Sequence, residues 1–260
     1  MNSNYPGLQL FWKAAILGVL LVITACQSAP ISGRNQLILF SIESESTLGI
    51  DAYREILNEK EISDNPNLTH RMNTVGQRIS ETTDQPGLAW EFTLFDDESA
   101  NAFALPGGKV GVNTGLFEVA KNDAQLAAVL AHEIGHVLAR HSSERLSRRL
   151  LVQGGLAVLS MGMGNNSQDY VQLAASAATL GVVLPFTREQ ESEADHLGLI
   201  YMARAGYNPR MAIELWRNFQ ATGDDRAPEF LSTHPAPGTR IKLLEQLMPE
   251  AIAIYEQSQH

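Results

Sequence analysis

The sequence has a single cysteine, Cys26, among its 260 residues. One cysteine cannot form an intrachain disulfide, and the rest of the chain therefore has neither a cysteine-based zinc site nor a cysteine nucleophile. Positive charge is also scarce, because 19 Lys and Arg against 29 Asp and Glu give a formal net charge of -10 at pH 7. Without a basic stripe to neutralise phosphates, nucleic acid is excluded as the main partner. We expect a protein partner instead.

Apolar runs long enough to cross a bilayer are lacking as well. The run from Ala14 to Ala25 follows Lys13 and has 12 residues, which is too short for a transmembrane helix and typical of the central part of a signal peptide. The later stretches 150–164 and 170–186 are also short, and their glycines weaken them as rigid helices. We interpret them as core helices, with a mobile cover over the functional site as the alternative.

The end of the first apolar run has the form of a lipidation site. Ile23-Thr24-Ala25-Cys26 resembles the lipobox of bacterial lipoproteins, in which an aliphatic and two small residues precede the cysteine that takes the lipid. This predicts a signal peptide over residues 1–25, a lipidated Cys26 and a tether up to residue 46. The alternatives are an ordinary signal peptide or a buried apolar segment. By resemblance to enterobacterial lipoproteins, Gln27 after the cysteine favours the outer membrane, with the protein facing the periplasm.

The strongest motif is His132-Glu133-Ile134-Gly135-His136, a match to the pattern His-Glu-x-x-His. On a helix with about 3.6 residues per turn, His132 and His136 lie on one face with Glu133 beside them. Two imidazoles so placed can bind one zinc ion, and the carboxylate can accept a proton from a water bound to that ion. The alternative is a chance match. The pattern therefore indicates the catalytic part of a metalloprotease.

Local patterns predict the elements around this motif. Asn122, with Gln125 three residues later, predicts the start of the motif helix. Apolar and polar residues alternate over 90–94, and 109–113 reads as a second short strand, so we expect a hairpin or small sheet just before that helix. One edge of this sheet could bind an extended substrate as an added strand, or the sheet could be purely structural. The four arginines within 140–149 predict a solvated helix face.

Further helices are predicted from Thr47 to Lys60, from Leu68 to Glu81, after Asn208-Pro209, and from Pro237 to about Leu247. Another should begin at the capping box Thr187 to Gln190 and run to about Ala205. No chemistry is apparent in the first two helices. The helix after the capping box is different, because it is rich in carboxylates.

A catalytic zinc takes three protein ligands and a water, so one ligand is needed beyond the two histidines. Glu189, Glu191 and Glu193 compete for this role. Glu191 and Asp195 are four residues apart on one helix face, which would let Glu191 bind zinc while Asp195 accepts the outward N–H of a ligand histidine. Spacing alone leaves all three glutamates open.

Four segments together resemble the HtpX and CAAX-prenyl-protease family of zinc metallopeptidases, above all its periplasmic lipoprotein members. They are Asn101 to Gly108, His132 to His136, Glu191 to Asp195, and Thr233 to Pro235. The resemblance implies an α+β, predominantly α-helical gluzincin fold over residues 47–260, with a small β-sheet beside the active-site helix. It also implies that Glu191 is the third ligand. The sequence departs from HtpX in lacking transmembrane helices, and from some periplasmic relatives in showing no C-terminal repeats.

The expected activity is that of a zinc-dependent endopeptidase with one zinc ion per chain. Glu133 would be the general base, and Asp195 would orient a ligand histidine, with a proton-donor role also allowed by the family. His234 would plug the open zinc position or donate to the oxyanion, or it is a plain loop residue. We expect misfolded or misassembled envelope proteins as substrates and envelope assembly machinery as a partner.

Two rival functions belong to other classes. The first is a non-proteolytic outer-membrane assembly or chaperone factor with a latent zinc site. An intact Glu133 argues against this rival, because a scaffold has no use for a general base. The second is a metal-dependent hydrolase of non-peptide bonds, which is disfavoured only by the family resemblance.

Overall fold

The computed structural model describes residues 26–85, 87–162, 186–221, 229–234 and 237–259. Within these ranges the chain is mostly helical and has two small sheets, which confirms the predicted α+β, predominantly helical class. None of the helices in these ranges is long and apolar enough to cross a membrane. The predicted signal peptide over 1–25 and most of the stretch 170–186 lie outside the described residues.

The described chain begins with a β-hairpin. β1 (Cys26–Ser28) pairs antiparallel with β2 (Asn35–Leu37), so residues 26–46, where composition predicts a tether, hold a hairpin and the start of a helix. The side chain of Gln36 is buried and donates to the backbone oxygen of Ala139 at 2.8 Å. This contact joins residues more than 100 positions apart, which is why local composition did not reveal it.

Two helices follow the hairpin. α1 spans Ile42–Glu59 and α2 spans Pro66–Ser80. α1 begins before the predicted Thr47, because the side chain of Ser41 caps the helix by accepting a backbone hydrogen bond from the first turn. The cap of α2 is Asn65, which is followed by proline at the first helical position, where a missing N–H costs nothing.

A three-stranded sheet comes next, and it confirms the small sheet that the alternation predicts. β3 (Glu91–Phe95) pairs in parallel with β5 (Lys109–Asn113), which pairs antiparallel with β4 (Ala102–Leu105). β4 was not predicted, because its four consecutive apolar residues have no alternation. Gly107 and Gly108 connect β4 to β5 with φ values of 84° and 80°, a conformation that favours glycine.

Three helices carry the motifs. They are α3 (Asp123–Leu138), α4 (His141–Gly162) and α5 (Arg188–Arg204). The predicted start of α3 is confirmed, because the side chain of Asn122 accepts a hydrogen bond from the backbone N–H three residues later at 2.9 Å. The predicted capping box at the start of α5 is also present, with Thr187 as the N-cap. A short 3-10 helix, Thr114–Glu118, links the sheet to α3.

α3 and α5 cross at close range through a glycine on each helix. A Cβ atom added to Gly135 would lie 3.0 Å from the backbone oxygen of Ala194, and one added to Gly198 would lie 3.1 Å from the backbone nitrogen of His132. Both distances are shorter than ordinary van der Waals contacts, so larger residues would push the helices apart. The crossing therefore holds the His-Glu-x-x-His motif of α3 directly against α5.

The arginines between residues 140 and 149 do not form the solvated face that the sequence predicts. The guanidinium of Arg140 donates to both carboxylate oxygens of Glu45 at 2.9 Å. The guanidinium of Arg145 lies 3.7 Å from the ring centroid of Phe186, whereas Arg148 is exposed. The prediction was wrong because the partners of the first two arginines come from distant segments.

Three helices complete the fold: α6 (Arg210–Ala221), α7 (Glu229–Thr233) and α8 (Pro237–Ser258). α8 continues past Pro249, beyond its predicted end near Leu247, because Ala251 and its neighbours pack against the core. The core lies between α2, the three-stranded sheet and helices α3, α5, α6 and α8. Its fully buried side chains include Met72, Leu94, Leu126, Leu130, Ile134, Leu197 and Phe219.

Candidate metal centre and active site

Side chains from α3, α5 and the segment after α7 converge where α3 crosses α5. The potential ligand atoms of His132, His136, Glu191 and His234 all lie within 4.8 Å of one another, and all four residues are buried. Nε2 of His132 lies 3.0 Å from Nε2 of His136 and 3.2 Å from Nδ1 of His234. Oε1 of Glu191 lies 3.4 Å from Nε2 of His136 and 2.9 Å from Nδ1 of His234.

These separations are short enough for the four side chains to bind one zinc ion. Ligand atoms about 2.0 to 2.1 Å from a tetrahedral zinc lie about 3.3 Å from one another, close to the four distances between neighbouring ligand atoms. Imidazole nitrogen and carboxylate oxygen are also ligand types that zinc prefers. The structure thus brings the predicted ligands His132, His136 and Glu191 together, and it places Nδ1 of His234 beside them.

Of the three glutamates considered for the third ligand, Glu191 is the one that the structure brings to the histidine pair. Glu189 is exposed in the first turn of α5. Glu193 is buried but contacts Nε2 of His141 at 2.9 Å. Burial alone would raise the pKa of Glu191, but neighbouring His234 and Arg240 hold it well below its usual range, so this carboxylate stays ionised.

One oxygen of the Glu133 carboxylate has no hydrogen-bond partner among the residues that the structure describes. This residue is buried beside His132, and its Oε1 atom lies 3.3 Å from Nε2 of His234 but makes no hydrogen bond to any residue that the structure describes. Burial raises the pKa of Glu133. A buried polar atom without a partner is costly, so its retention indicates a functional role. This oxygen can accept a proton.

Asp195 contacts the outward side of His132 rather than that of His136. Oδ1 of Asp195 lies 3.0 Å from Nδ1 of His132. A third group, the buried guanidinium of Arg240, donates through Nε to Oδ2 of Asp195 at 2.8 Å and through Nη1 to Oε2 of Glu191 at 2.6 Å. The guanidinium also lies 3.9 Å from the ring centroid of Trp216. Arg240 therefore fixes two carboxylates of the site at once.

Two phenylalanines hold His234 in position. Its ring stacks on Phe230 with 4.3 Å between centroids and lies 5.3 Å from Phe186. Phe186 also stacks on His136 at 3.8 Å, and its backbone N–H donates to the backbone oxygen of Thr233 at 3.2 Å. The segment that carries His234 is therefore bound to the site by both its backbone and its rings.

Sequence reasoning missed Arg240 and His141. Arg240 lies in the first turn of α8, where a single arginine forms no pattern. His141 is the first residue of α4, and its Nδ1 atom lies 2.8 Å from Nδ1 of His136. The one available signal was that His141 follows the zinc motif so closely in a chain with seven histidines.

Known proteins are similar to this chain in sequence. The model of peptidase family M48 matches residues 66–248, which is more than half of the chain. The chain belongs to peptidase family M48. Because the enzymes of this family use zinc and the buried His/Glu cluster can hold it, the chain is a zinc metalloendopeptidase. The predicted enzyme class and metal are thereby confirmed.

Relatives within M48 come from mitochondria and from bacteria. The mitochondrial metalloendopeptidase OMA1 of Schizosaccharomyces pombe is 35% identical over 235 residues, covering 88% of this chain and 68% of the relative. The OMA1 protein of Saccharomyces cerevisiae is 33% identical over 255 residues, covering 90% and 72%. The β-barrel assembly-enhancing protease of Escherichia coli is 29% identical over 225 residues and 84% of this chain. The match covers 46% of that bacterial relative, so this chain spans about half its length.

Proposed function

We propose that His132, His136 and Glu191 hold the zinc ion and that the chain cleaves peptide bonds in protein substrates. The observation that carries this proposal is the convergence of these ligand atoms within 4.8 Å of one another, beside a buried Glu133 oxygen that makes no hydrogen bond to the described residues. When bound there, zinc polarises the scissile carbonyl and lowers the pKa of water.

Glu133 acts as the general base in this proposal. Oε1 of Glu133 accepts the proton of the attacking water, and the carboxyl group then delivers that proton to the leaving amine. Burial supports this exchange because it raises the pKa of the carboxyl group toward the working pH. The same residue favours a protease over a non-proteolytic assembly factor, since a binding platform gains nothing from a buried, unbonded carboxylate oxygen.

Asp195 and Arg240 position the metal ligands. If Nε2 of His132 binds the metal, the proton of its neutral ring lies on Nδ1, and because a guanidinium can only donate, Asp195 is the group that accepts this proton. Burial alone would raise the pKa of Asp195, but the charge of Arg240 lowers it, so this carboxylate stays ionised. These contacts favour the orienting role of Asp195 over the proton-donor role.

His234 restrains the enzyme in this proposal. Its Nδ1 atom lies 3.2 Å from Nε2 of His132 and 2.9 Å from Oε1 of Glu191, so the imidazole would compete with the attacking water for the metal. As long as the imidazole binds there, water cannot be activated, so the site is latent until the segment carrying His234 moves. This position supports the plug over the oxyanion donor.

We further propose that the substrates are misfolded or misassembled proteins of the bacterial envelope. β4 pairs with β5 along one edge, and no other described strand pairs with its second edge, so an extended segment of substrate could add there. Envelope assembly machinery is the proposed partner, and the name of the Escherichia coli relative supports that link. The OMA1 relatives are mitochondrial, so the compartment must be argued from other residues.

The proposed location is the outer membrane, with lipid on Cys26 and the protein facing the periplasm. Ile23 to Cys26, with Gln27 after the cysteine, support this location. In a bacterial host, Cys26→Ser should abolish labelling by a radioactive fatty acid and release the protein from the membrane fraction. Labelling that persists in the variant would contradict lipidation at Cys26, whereas membrane association that persists without labelling would point to the apolar stretches after Leu150.

The proteolytic mechanism is tested by comparing casein cleavage by the wild type and Glu133→Gln. The amide keeps the size of the side chain but cannot take the proton, so the variant should retain its zinc and lose activity. Glu189→Gln alters an exposed residue of α5 and is the matched control. This variant should cleave casein like the wild type. Equal cleavage by wild type and Glu133→Gln would refute the mechanism. If neither the zinc-loaded wild type nor the zinc-loaded His234→Ala variant cleaves protein, the result would favour the assembly factor.

A further inference from the structure

His141 is buried behind the metal ligand His136. Its Nδ1 atom lies 2.8 Å from Nδ1 of His136, and its Nε2 atom lies 2.9 Å from Oε2 of Glu193. The ring reaches this place because Arg140, with a φ of 55°, turns the chain sharply between α3 and α4. His141 is not among the four residues whose ligand atoms converge on the metal position.

The contacts that run from His136 through His141 to Glu193 fix where each proton lies. If Nε2 of His136 binds the metal, the proton of its neutral ring lies on Nδ1 and must be donated to Nδ1 of His141. The proton of His141 then lies on Nε2, and the acceptor is the carboxylate of Glu193. Each ring nitrogen then has one role. His141 therefore acts as a relay, through which the carboxylate of Glu193 orients His136.

The two metal-binding histidines of α3 are thus supported in different ways. His132 donates directly to Asp195, whose oxygen lies 3.0 Å from Nδ1. His136 reaches Glu193 only through His141, because α5 presents this carboxylate on another side of the helix. Outer partners of this kind fix the tautomer and ring plane of a metal-binding histidine. If His141 were removed, Nδ1 of His136 would remain buried and would lose this hydrogen-bond acceptor.

The carboxylate of Glu193 is held by the N-terminal hairpin. Nε and Nη2 of Arg34 donate to its two oxygens at 2.8 Å and 2.9 Å, and the hydroxyl of Ser32 donates to Oε1 at 2.6 Å. Nη1 of Arg34 also donates to Glu144 at 2.6 Å, which anchors the guanidinium on α4. Because three donors from one loop reach Glu193, its orientation depends on how the hairpin docks.

We propose that His141 is a positioning residue of the zinc site, which orients His136 and is itself oriented by Glu193 and the hairpin. This inference rests on the proposed binding of zinc by His136. Loss of such an outer partner typically lowers metal affinity by about 10-fold to 100-fold. We therefore expect changes at His141 to weaken zinc binding without removing a ligand.

Two conservative substitutions separate the halves of the relay. In His141→Asn the side-chain oxygen lies near the former Nδ1 position and can still accept from His136, whereas in His141→Gln the amide nitrogen lies near Nε2 and can reach Glu193 instead. Zinc dissociation constants are measured on the full chain by competition with a chelator. His141→Leu and His141→Gln should weaken zinc binding by about 10-fold to 100-fold, and His141→Asn should recover most of that loss.

Controls distinguish this proposal from the proposed function and from a folding defect. His136→Ala tests the ligand itself, and Glu189→Gln is the exposed control on α5. Thermal unfolding of each metal-free variant reports any structural damage. Loss of zinc in His136→Ala with wild-type affinity in His141→Leu would overturn the relay alone. Retention of zinc in His136→Ala would overturn the ligand assignment.

The contrast between the amide variants decides the proton assignment. Equal zinc affinities in His141→Asn and His141→Gln would overturn the role of His141 as acceptor. If His141→Leu does not fold, Glu193→Gln carries the test, because it keeps an oxygen acceptor but removes the charge. Its zinc affinity should fall by about 10-fold. Wild-type affinity in a folded Glu193→Gln protein would count against the relay.

Discussion

Nδ1 of His234 lies 2.9 Å from Oε1 of Glu191, and the ring of His234 stacks on Phe230. The same nitrogen lies 3.2 Å from Nε2 of His132. A catalytic zinc site keeps one position for water, whereas four protein ligands characterise a closed, structural site. In the described conformation the donor set resembles the closed kind, although Glu133 beside it is placed for catalysis.

His234→Ala should raise basal casein cleavage. Removing the imidazole leaves water without this competitor for the metal, and we expect kcat/KM to increase by about 10-fold, which corresponds to about 1.4 kcal/mol. Steady-state kinetics and zinc analysis of the purified variant provide the measurement. If His234 is instead an oxyanion donor, kcat falls with little change in zinc content. Unchanged kinetics would remove His234 from the site.

Glu191→Ala should lower zinc content far more than Glu189→Ala. The first change removes a ligand, whereas the second alters an exposed side chain in the first turn of α5. Metal analysis after dialysis against a weak chelator measures both. Glu193→Ala should lie between them, because it disturbs His136 only through His141. If Glu193→Ala empties the site more completely than Glu191→Ala, the assignment of the third ligand is wrong.

Arg240→Met should destabilise the protein strongly. The guanidinium is buried and binds two carboxylates, and breaking a buried ion pair by removing one partner costs about 3 to 5 kcal/mol. Arg240→Lys keeps the charge but cannot donate to Asp195 and Glu191 in the same fork geometry, so zinc affinity should fall by about 10-fold. Urea unfolding and chelator competition test the two variants.

The matched control for Arg240 is Arg204→Lys. Arg204 forms an ion pair with Asp84, and both side chains are exposed. Exposed pairs contribute at most about 1 kcal/mol, so this variant should unfold within about 0.5 kcal/mol of the wild type. Equal losses at Arg204 and Arg240 would show that the buried fork has no special role.

Asp97→Asn should destabilise the protein at pH 7 but not at pH 2. Partial burial alone would raise the pKa of Asp97, but Lys60 and Ser99 lower it to about 2. Because the folded pKa lies below the unfolded value of about 3.9, the stabilisation is present above pH 4 and is lost as pH falls toward 2. The side chain is 31% exposed, so the expected loss at pH 7 is about 1 kcal/mol.

Urea unfolding at the two pH values measures the effect of Asp97→Asn. Asp51→Asn is a suitable control, because Asp51 pairs with Arg54 on the exposed surface of α1. A loss of the same size at pH 2 and pH 7 would mean that the hydrogen bonds of Asp97, rather than its charge, stabilise the loop before β4.

Features that depend on one helical turn could be predicted from the sequence. The caps at Asn122 and Thr187 involve residues three positions apart, and the spacing of His132 and His136 follows from the helix itself. Local periodicities predicted individual helices and the small sheet, whereas the fold class was implied by the resemblance to a family of zinc metallopeptidases. For the third ligand, spacing left three glutamates open, and the crossing of α3 and α5 brings Glu191 to the site.

Features that depend on distant contacts could not be predicted in this way. Arg240 contacts His132 from 108 positions along the chain, and Arg34 contacts Glu193 from 159. No local pattern marks such residues, because each is a single charge in an ordinary segment. Glu193 illustrates the same limit. Spacing left it open as the third zinc ligand, and only the folded structure shows that it contacts His141 and Arg34 of the hairpin instead.

The docked hairpin has a consequence for the reach of the enzyme. A free tether of about 20 residues would let the catalytic body move about 25 Å from its anchor. Cys26 is instead the first residue of β1, and the hairpin is bound to the helices behind the metal centre. A lipid on Cys26 would therefore hold the active site at a nearly fixed height above the bilayer. Such an enzyme would select its substrates by their distance from the membrane as well as by their sequence.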